Sequence, residues 1–442
     1  KWEYLKKLIL SIDQGTTSSR SILFDLNGKK IFSSQYEFEQ IFPNLGWVEH
    51  NPEEIWKVTL KTIKEAIKKS KRIKSKIISI GITNQRETTV IWNKDTGQPV
   101  YNAIVWQDRR TASFCDKLKE ENKSELIQNK TGLVIDAYFS GTKIKWILDS
   151  NSEIREQADK GQLIFGTIDT WLIWNLSKGK YHLTDPSNAS RTLLYNIKDD
   201  VWDDELLEIF DVPRNILPKV VDSSAISAYI DEEILGSKIP IAGIAGDQQA
   251  ALFGQLCVNP GDIKNTYGTG CFCMMNTGKS AVKSKNKMLS TIAWRINGEL
   301  TYALEGSVFV AGALIQWLRD KLAIIKDAPE VENLANTVKD NGGVTFIPAL
   351  SGLAAPYWDP YAQGTIFGIT RGTENGHIAR AALESIALRT RDIIIEMQKD
   401  ADINFTNLKV DGGASNNNLL MQIQSDLLFA DLCRRPRLQT TK

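Results

Sequence analysis

The sequence predicts an α/β protein built of two domains, and three observations predict it. Helix-like and strand-like segments alternate from residue 8 to about residue 250, the pattern of a sheet with helices packed on it. The 442 residues exceed what one hydrophobic core ordinarily serves. A strand, a turn of glycine and hydroxyl residues, and a second strand occupy Ser11–Phe24, and the same design returns at Lys264–Met275. Two halves of related design are therefore expected, residues 1–253 and 254–442, with the division near Phe253.

The elements follow in order. Residues 8–39 read as consecutive strands, with "DLNG" (Asp25 to Gly28) as a hairpin turn. A helix follows at "NPEEIWKVTLKTIKEAIKKSK". Asn51 is its N-cap, Pro52 fits the first turn, and Glu53 and Glu54 complement the positive end of the dipole. Ile55, Val58, Ile63 and Ile67 recur at roughly helical spacing. The lysines of this helix read as a solvated face rather than a polyanion site. Strands are expected at "KIISIGIT" and "TTVIW", across "GDIKNTYGTGCFCMMN", and from Leu289 to Ala303. An apolar helix is expected from about Val308 to Leu322.

Composition narrows the class. The chain is 42% hydrophobic and 24% charged, with net charge +1, which points to no nucleic-acid or membrane-surface partner. No CxxC pair occurs among the five cysteines, so a zinc site is not expected. Free buried thiols in a reducing cytosol are the expectation, with Cys271 and Cys273 on one strand face. No apolar stretch approaches membrane-span length, and the N-terminal apolar run is too short for a signal peptide. A cytoplasmic protein is expected.

Several stretches carry chemistry. In "DQGTTSSR" (Asp13 to Arg20), glycine admits close backbone approach, hydroxyls and N–H groups make an anion nest, and Arg20 adds positive charge. Asp13 at the strand end suits a magnesium ion, directly or through water. Alone, this turn is as readily an ordinary tight turn with solvated hydroxyls. "YGTG" (Tyr267 to Gly270, with Thr269) and "VDGGASNNN" before a helix are two more phosphate-type loops. Three such loops point to an ATP clamp shared between domains. "GIAGDQQ" sets Asp247 after a glycine-punctuated strand, as a base for a hydroxyl proton, a helix N-cap, or both. Arg86 and Glu87 in "GITNQRETT" suit vicinal hydroxyls by donating and accepting, or form a surface ion pair on a loop.

With "NLGWVEHNPEEIW", "YNAIVWQDRR", "NASRTLLYN", "YALEGSVFVAGALIQWLRD" and "APYWDPYAQGTIFGITRG", these stretches resemble the FGGY family of carbohydrate kinases, at its members that phosphorylate glycerol. The resemblance implies two domains of the ribonuclease-H-like, actin-like ATPase fold with the active site in the cleft between them. It implies ATP-dependent phosphorylation of glycerol to sn-glycerol 3-phosphate with Mg2+. Another polyol or pentulose kinase, or a non-catalytic nucleotide-binding remnant, is the alternative. By resemblance, Arg86, Glu87, Tyr138, Asp247 and Gln248 bind glycerol, Trp106 and Phe272 wall the pocket, and Asp247 is the catalytic base. Thr16, Thr17, Ser18 and Arg20 contact the ATP phosphates, and Thr269, Gly312, Gln316, Gly413 and Asn417 hold the rest of the nucleotide. Asp13 and Asp247 lie near the metal. A dimer or tetramer is implied, and relative to the family pattern the chain is expected to lack a C-terminal segment.

Overall fold

The computed structural model describes residues 6–434 apart from 351, 360 and 406. The chain forms two compact units. The first runs to Ala250 and takes in Thr291–Thr301, and the second comprises Ala251–Ser290 and the chain from Tyr302 onward.

The first unit opens on three antiparallel strands, β1 (Lys6–Gln14), β2 (Ser18–Asp25) and β3 (Lys30–Glu37). The turn between β2 and β3 is the one read from "DLNG". Gly28 takes φ 78°, a left-handed conformation that glycine adopts without steric cost. The Asp25 carboxylate accepts from the N–H groups of Asn27 and Lys29, both at 3.0 Å. Helix α1 (Pro52–Arg72) starts where the capping signal placed it: Asn51 Oδ1 accepts from the N–H groups of Glu53 and Glu54. It buries Ile55, Thr59, Thr62, Ile63 and Ala66 while Lys57, Lys61, Lys64 and Lys68 stay exposed. Two hydroxyl pairs tie its buried face to β2, Thr59 to Ser19 at 2.9 Å and Thr62 to Ser21 at 2.7 Å.

Strand β4 (Ser75–Asn84) runs parallel to β1. Helices α2 (Ser140–Asp149) and α3 (Ile168–Leu176) come next, then β5 (Ser224–Tyr229), β6 (Pro240–Gly246) and α4 (Asp247–Gly254). The sheet order is β5-β6-β4-β1-β2-β3, with β6, β4 and β1 mutually parallel. Its core joins Leu8, Leu10 and Ile12 of β1 to Ile80 and Ile82 of β4, Ile55 and Ile63 of α1, and Trp171 of α3.

A second sheet repeats this plan, and apart from Thr291–Thr301 its strands belong to the second unit. Strands β7 (Ile263–Tyr267), β8 (Cys271–Gly278), β9 (Leu289–Ile296), β10 (Glu299–Val308), β11 (Asn407–Asp411) and β12 (Asp431–Arg434) form a sheet in the order β9-β10-β8-β7-β11-β12. Strand β7 pairs antiparallel with β8 and parallel with β11, as β1 pairs with β2 and β4. The echo between the two turns thus extends to strand order and direction. Helix α5 (Gly312–Asp320) is shorter than the stretch Val308–Leu322 suggests. Strand β10 runs on through Val308, and Ala311 has a non-helical backbone, so the apolar residues before Gly312 belong to the strand and a bend. Helices α6 (Asn375–Ala401) and α7 (Asn418–Leu428) cover the sheet. Four cysteines are buried as expected, but Cys433 on β12 is exposed. No helix among the described residues is long and apolar enough to cross a membrane.

Two histidines of the first unit lie in poorly solvated positions. His50 packs edge-on against Phe38, and His182 sits against the Trp92 and Trp174 rings. Burial lowers both pKa values from 6.5 to about 4. In the unfolded chain both take up a proton near pH 6.5, so unfolding binds protons across that window and stability falls as pH drops through it. Asp169, raised by burial to about 7, acts oppositely, as do Asp13 and Asp185, which burial also raises. Relative to its value at pH 6.5, the melting temperature at pH 4 is expected to be lower in the unsubstituted chain than in His182→Gln; identical profiles for the two would contradict this.

Candidate active site

The parallel strands of the first unit bring the polar stretches to one sheet edge. Register pairs Asp13 of β1 and Ala245 of β6 with the same residue of β4, Thr83, and pairs Gln14 and Gly246 with Asn84. The chain leaves all three strands at this carboxyl end, where α/β sheets bind ligands. It continues into the hydroxyl turn after β1, the Gln85–Arg86–Glu87 segment after β4, and Asp247–Gln248 after β6.

The hydroxyl turn is closed by the Gly15 N–H donating to the Ser18 carbonyl at 2.9 Å. Thr17 is exposed, and Thr16 and Ser18 are half-buried. Thr16 is held from two sides: Trp106 Nε1 donates to its hydroxyl at 2.9 Å, and Gln40 Nε2 donates to its carbonyl at 3.2 Å. Arg20 is not an unengaged charge. The β1–β2 register sets it opposite Asp13, and its Nη2 donates to Asp13 Oδ2 at 2.5 Å. Burial raises the pKa of Asp13, and Arg20 works against that rise.

Arg86 and Glu87 are not a surface ion pair. They are 3% and 1% exposed. Arg86 lies 3.7 Å from the Glu87 carboxylate and 3.5 Å from Asp247 Oδ1, and it donates to Gln249 Oε1 at 3.2 Å and Tyr138 Oη at 3.4 Å. Gly246 makes room for it, since a Cβ there would meet Arg86 Cδ at 2.7 Å. Glu87 has φ 61°, a conformation that non-glycine residues adopt at a cost and that clusters at functional sites. The hydroxyls of Ser140 and Thr89 donate to its carbonyl, at 2.9 and 3.1 Å. Its carboxylate accepts from Arg191 Nε at 2.6 Å, and Arg191 is fully buried.

Asp247 opens α4, and its Oδ1 accepts from the N–H of Gln248, the very next residue, at 2.8 Å. Gln248 is buried. The Trp106 and Tyr138 rings stand edge to face at 5.6 Å. Arg86, Glu87, Tyr138 and Asp247 therefore form one linked cluster, and Trp106 joins Tyr138 to the hydroxyl turn. Among the described residues no group of three or more His, Cys, Asp or Glu could hold a metal ion.

In the second unit the expected residues line a packed set of glycine turns. The Thr269 carbonyl accepts from the N–H groups of Ala311 and Ala313, and the Gly268 carbonyl accepts from that of Gly312. A Cβ at Gly312 would meet the Gly268 oxygen at 2.5 Å, so only glycine fits this approach. Thr269, Gln316 and Gly413 are exposed. Asn417 caps α7, its side chain accepting from the Leu420 N–H at 2.8 Å. Phe272 also lies in this unit, half-buried on β8, with its carbonyl accepting from Lys264 Nζ at 3.2 Å. Gly412, with φ 87°, has the Tyr267 carbonyl oxygen 2.3 Å from where a Cβ would stand. Gly412→Ala is expected to destabilise the protein by about 1–3 kcal/mol through backbone strain alone, and an unchanged denaturation midpoint would refute that placement.

Arg191, Gln249 and Lys143 escaped the reading of the sequence. Arg191 and Glu87 are 104 residues apart. The one local cue is an arginine set between small and apolar residues in "NASRTLLYN".

Residues 8–254 match the N-terminal domain of the FGGY family of carbohydrate kinases, and residues 263–440 match its C-terminal domain. The chain is 60% identical to glycerol kinase 2 of Thermotoga maritima over 96% of its own length and 85% of the relative's. It is 59% identical to glycerol kinase of Dichelobacter nodosus, over 99% and 88%. Among solved structures it is similar to Plasmodium falciparum glycerol kinase with ADP, with TM-score 0.94 and 38% identity over 99% of this chain and 87% of that one. A gluconate kinase from Lactobacillus acidophilus shares the fold at TM-score 0.89 and 23% identity, over 98% and 87%.

Proposed function

Because the chain belongs to the FGGY family of carbohydrate kinases, we propose that it transfers the terminal phosphoryl group of ATP to glycerol, giving sn-glycerol 3-phosphate. The observation that carries this reading is the cluster at the sheet edge of buried Arg86 and Glu87 with half-buried Tyr138 and Asp247, linked through Trp106 to the hydroxyl turn at Thr16. The names of the relatives support the choice of polyol.

Phosphoryl transfer passes through a loose transition state, so the protein's contribution is positioning and charge neutralisation. Arg86 donates to the acceptor polyol, and Glu87 accepts from a neighbouring hydroxyl. Gln248 adds a further polar contact, and Trp106 and Tyr138 limit the pocket to a short polyol. Asp247 takes the proton of the hydroxyl that attacks. Thr16, Thr17, Ser18 and Arg20 receive the ATP phosphates on the first unit. Thr269, Gly312, Gln316, Gly413 and Asn417 receive the remainder of the nucleotide on the second. Asp13, next to the last residue of β1, and Asp247, just past the end of β6, lie on the strands either side of β4 at one sheet edge, and two carboxylates completed by phosphate and water oxygens match the preference of Mg2+. They would hold the ion, which would supply charge neutralisation on the phosphates. A homo-oligomer rests on family resemblance and is read by light scattering.

The test is a substrate panel of glycerol, erythritol, ribulose and xylulose with ATP and Mg2+, following ADP release. Release with glycerol and little with the others is expected. A preference for a four- or five-carbon acceptor would replace glycerol by that polyol.

A further inference from the structure

We infer that Lys143 is a positioning residue that sets the acceptor-polyol site by clamping the backbone of residues 137–139. The inference rests on the polyol-kinase reading above. Lys143 lies in the first turns of α2 and is fully buried. A cation there opposes the helix dipole, and a buried charge is costly unless it is paired and hydrogen-bonded. Its ammonium meets that requirement with three consecutive backbone carbonyls. Nζ donates to Ala137 O at 2.7 Å, Tyr138 O at 2.6 Å and Phe139 O at 3.1 Å. Three N–H donors thus serve three acceptors, a match that neither arginine nor a neutral amine reproduces.

What the clamp holds explains its placement. Tyr138 sits in the middle of the clamped segment and receives Arg86 Nη2 on its hydroxyl. Ser140, the first residue of α2, donates to the carbonyl of Glu87, whose backbone is in the left-handed region. Two of the polyol contacts, Tyr138 and Glu87, therefore depend on where this segment lies. Burial lowers the lysine's pKa to about 8, with Glu87, Asp108, Asp136 and Cys115 acting in the other direction. The charged, three-donor form is accordingly present at neutral pH.

Lys143→Met keeps an unbranched side chain one atom shorter and removes the three donors. Its KM for glycerol is expected to rise about ten-fold while its KM for ATP stays within about two-fold, since the loss falls on acceptor binding. In a Tyr138→Ala background the same substitution is expected to add about three-fold or less, because coupled residues are not additive. A rise of equal size in both backgrounds, an equal rise for ATP, or no rise at all would overturn the positioning role. Should Lys143→Met fail to fold, Lys143→Gln retains two donors and is read by the same comparison. The unsubstituted chain is assayed first. If it phosphorylates no polyol, the functional reading fails; if it turns over normally and the variants do too, only the role of Lys143 fails.

Discussion

Asp247→Asn is expected to lower kcat by roughly a hundred- to ten-thousand-fold, the range that general base catalysis commonly supplies, and to leave ATP binding largely intact. The substitution keeps the volume and one oxygen of the side chain. That oxygen still accepts from the Gln248 N–H, which now holds Asp247 Oδ1 at 2.8 Å. What is lost is the ability to take a proton and the charge facing Arg86 at 3.5 Å. The measurement is steady-state kinetics with glycerol varied, together with nucleotide binding followed by calorimetry. Turnover within about ten-fold of the unsubstituted chain would remove Asp247 from the base role, since such a loss lies below the range for a general base.

Arg191→Met is expected to have the largest effect on stability. Arg191 is fully buried, and its Nε donates to Glu87 Oε1 at 2.6 Å. Removing one partner of a buried ion pair strands the other charge and costs about 3–5 kcal/mol. Arg86, at 3.7 Å from the same carboxylate, compensates in part by attraction but already serves Tyr138 and Gln249. Replacing both partners avoids the stranded charge, so Arg191→Met combined with Glu87→Leu should recover much of the stability but no polyol binding. Chemical denaturation of the two variants measures this. If the single variant loses less than about 1 kcal/mol, below the range for a broken buried pair, the ion pair is not what holds Glu87.

These two residues mark where the sequence can and cannot be read. Asp247 stands in a local pattern, an apolar strand punctuated by glycine and then a helix, and local patterns survive into the fold. The same holds for Asn51 as the cap of α1, for the Asp25–Gly28 turn, and for the Gly412 turn ahead of α7. All of these depend on contacts within a few residues. The role of Arg191 depends on a partner 104 residues away. The pairing of Asp13 with Arg20 depends on strand register, which sets the two residues opposite each other on β1 and β2. The burial of Arg86 and Glu87 is equally invisible locally, because a loop between two strands ordinarily faces solvent. The start of α5 is hidden for a related reason. Apolar residues at Val308 and Val310 suit a helix or a buried strand alike, and tertiary packing extends β10 through the first of them.

The measurement that tests the account most directly is phosphorus NMR of a reaction containing this chain, ATP, Mg2+ and glycerol. Glycerol-dependent appearance of glycerol 3-phosphate, one for each ADP formed, is the predicted result. A folded chain that binds ATP yet yields neither product with glycerol would contradict it.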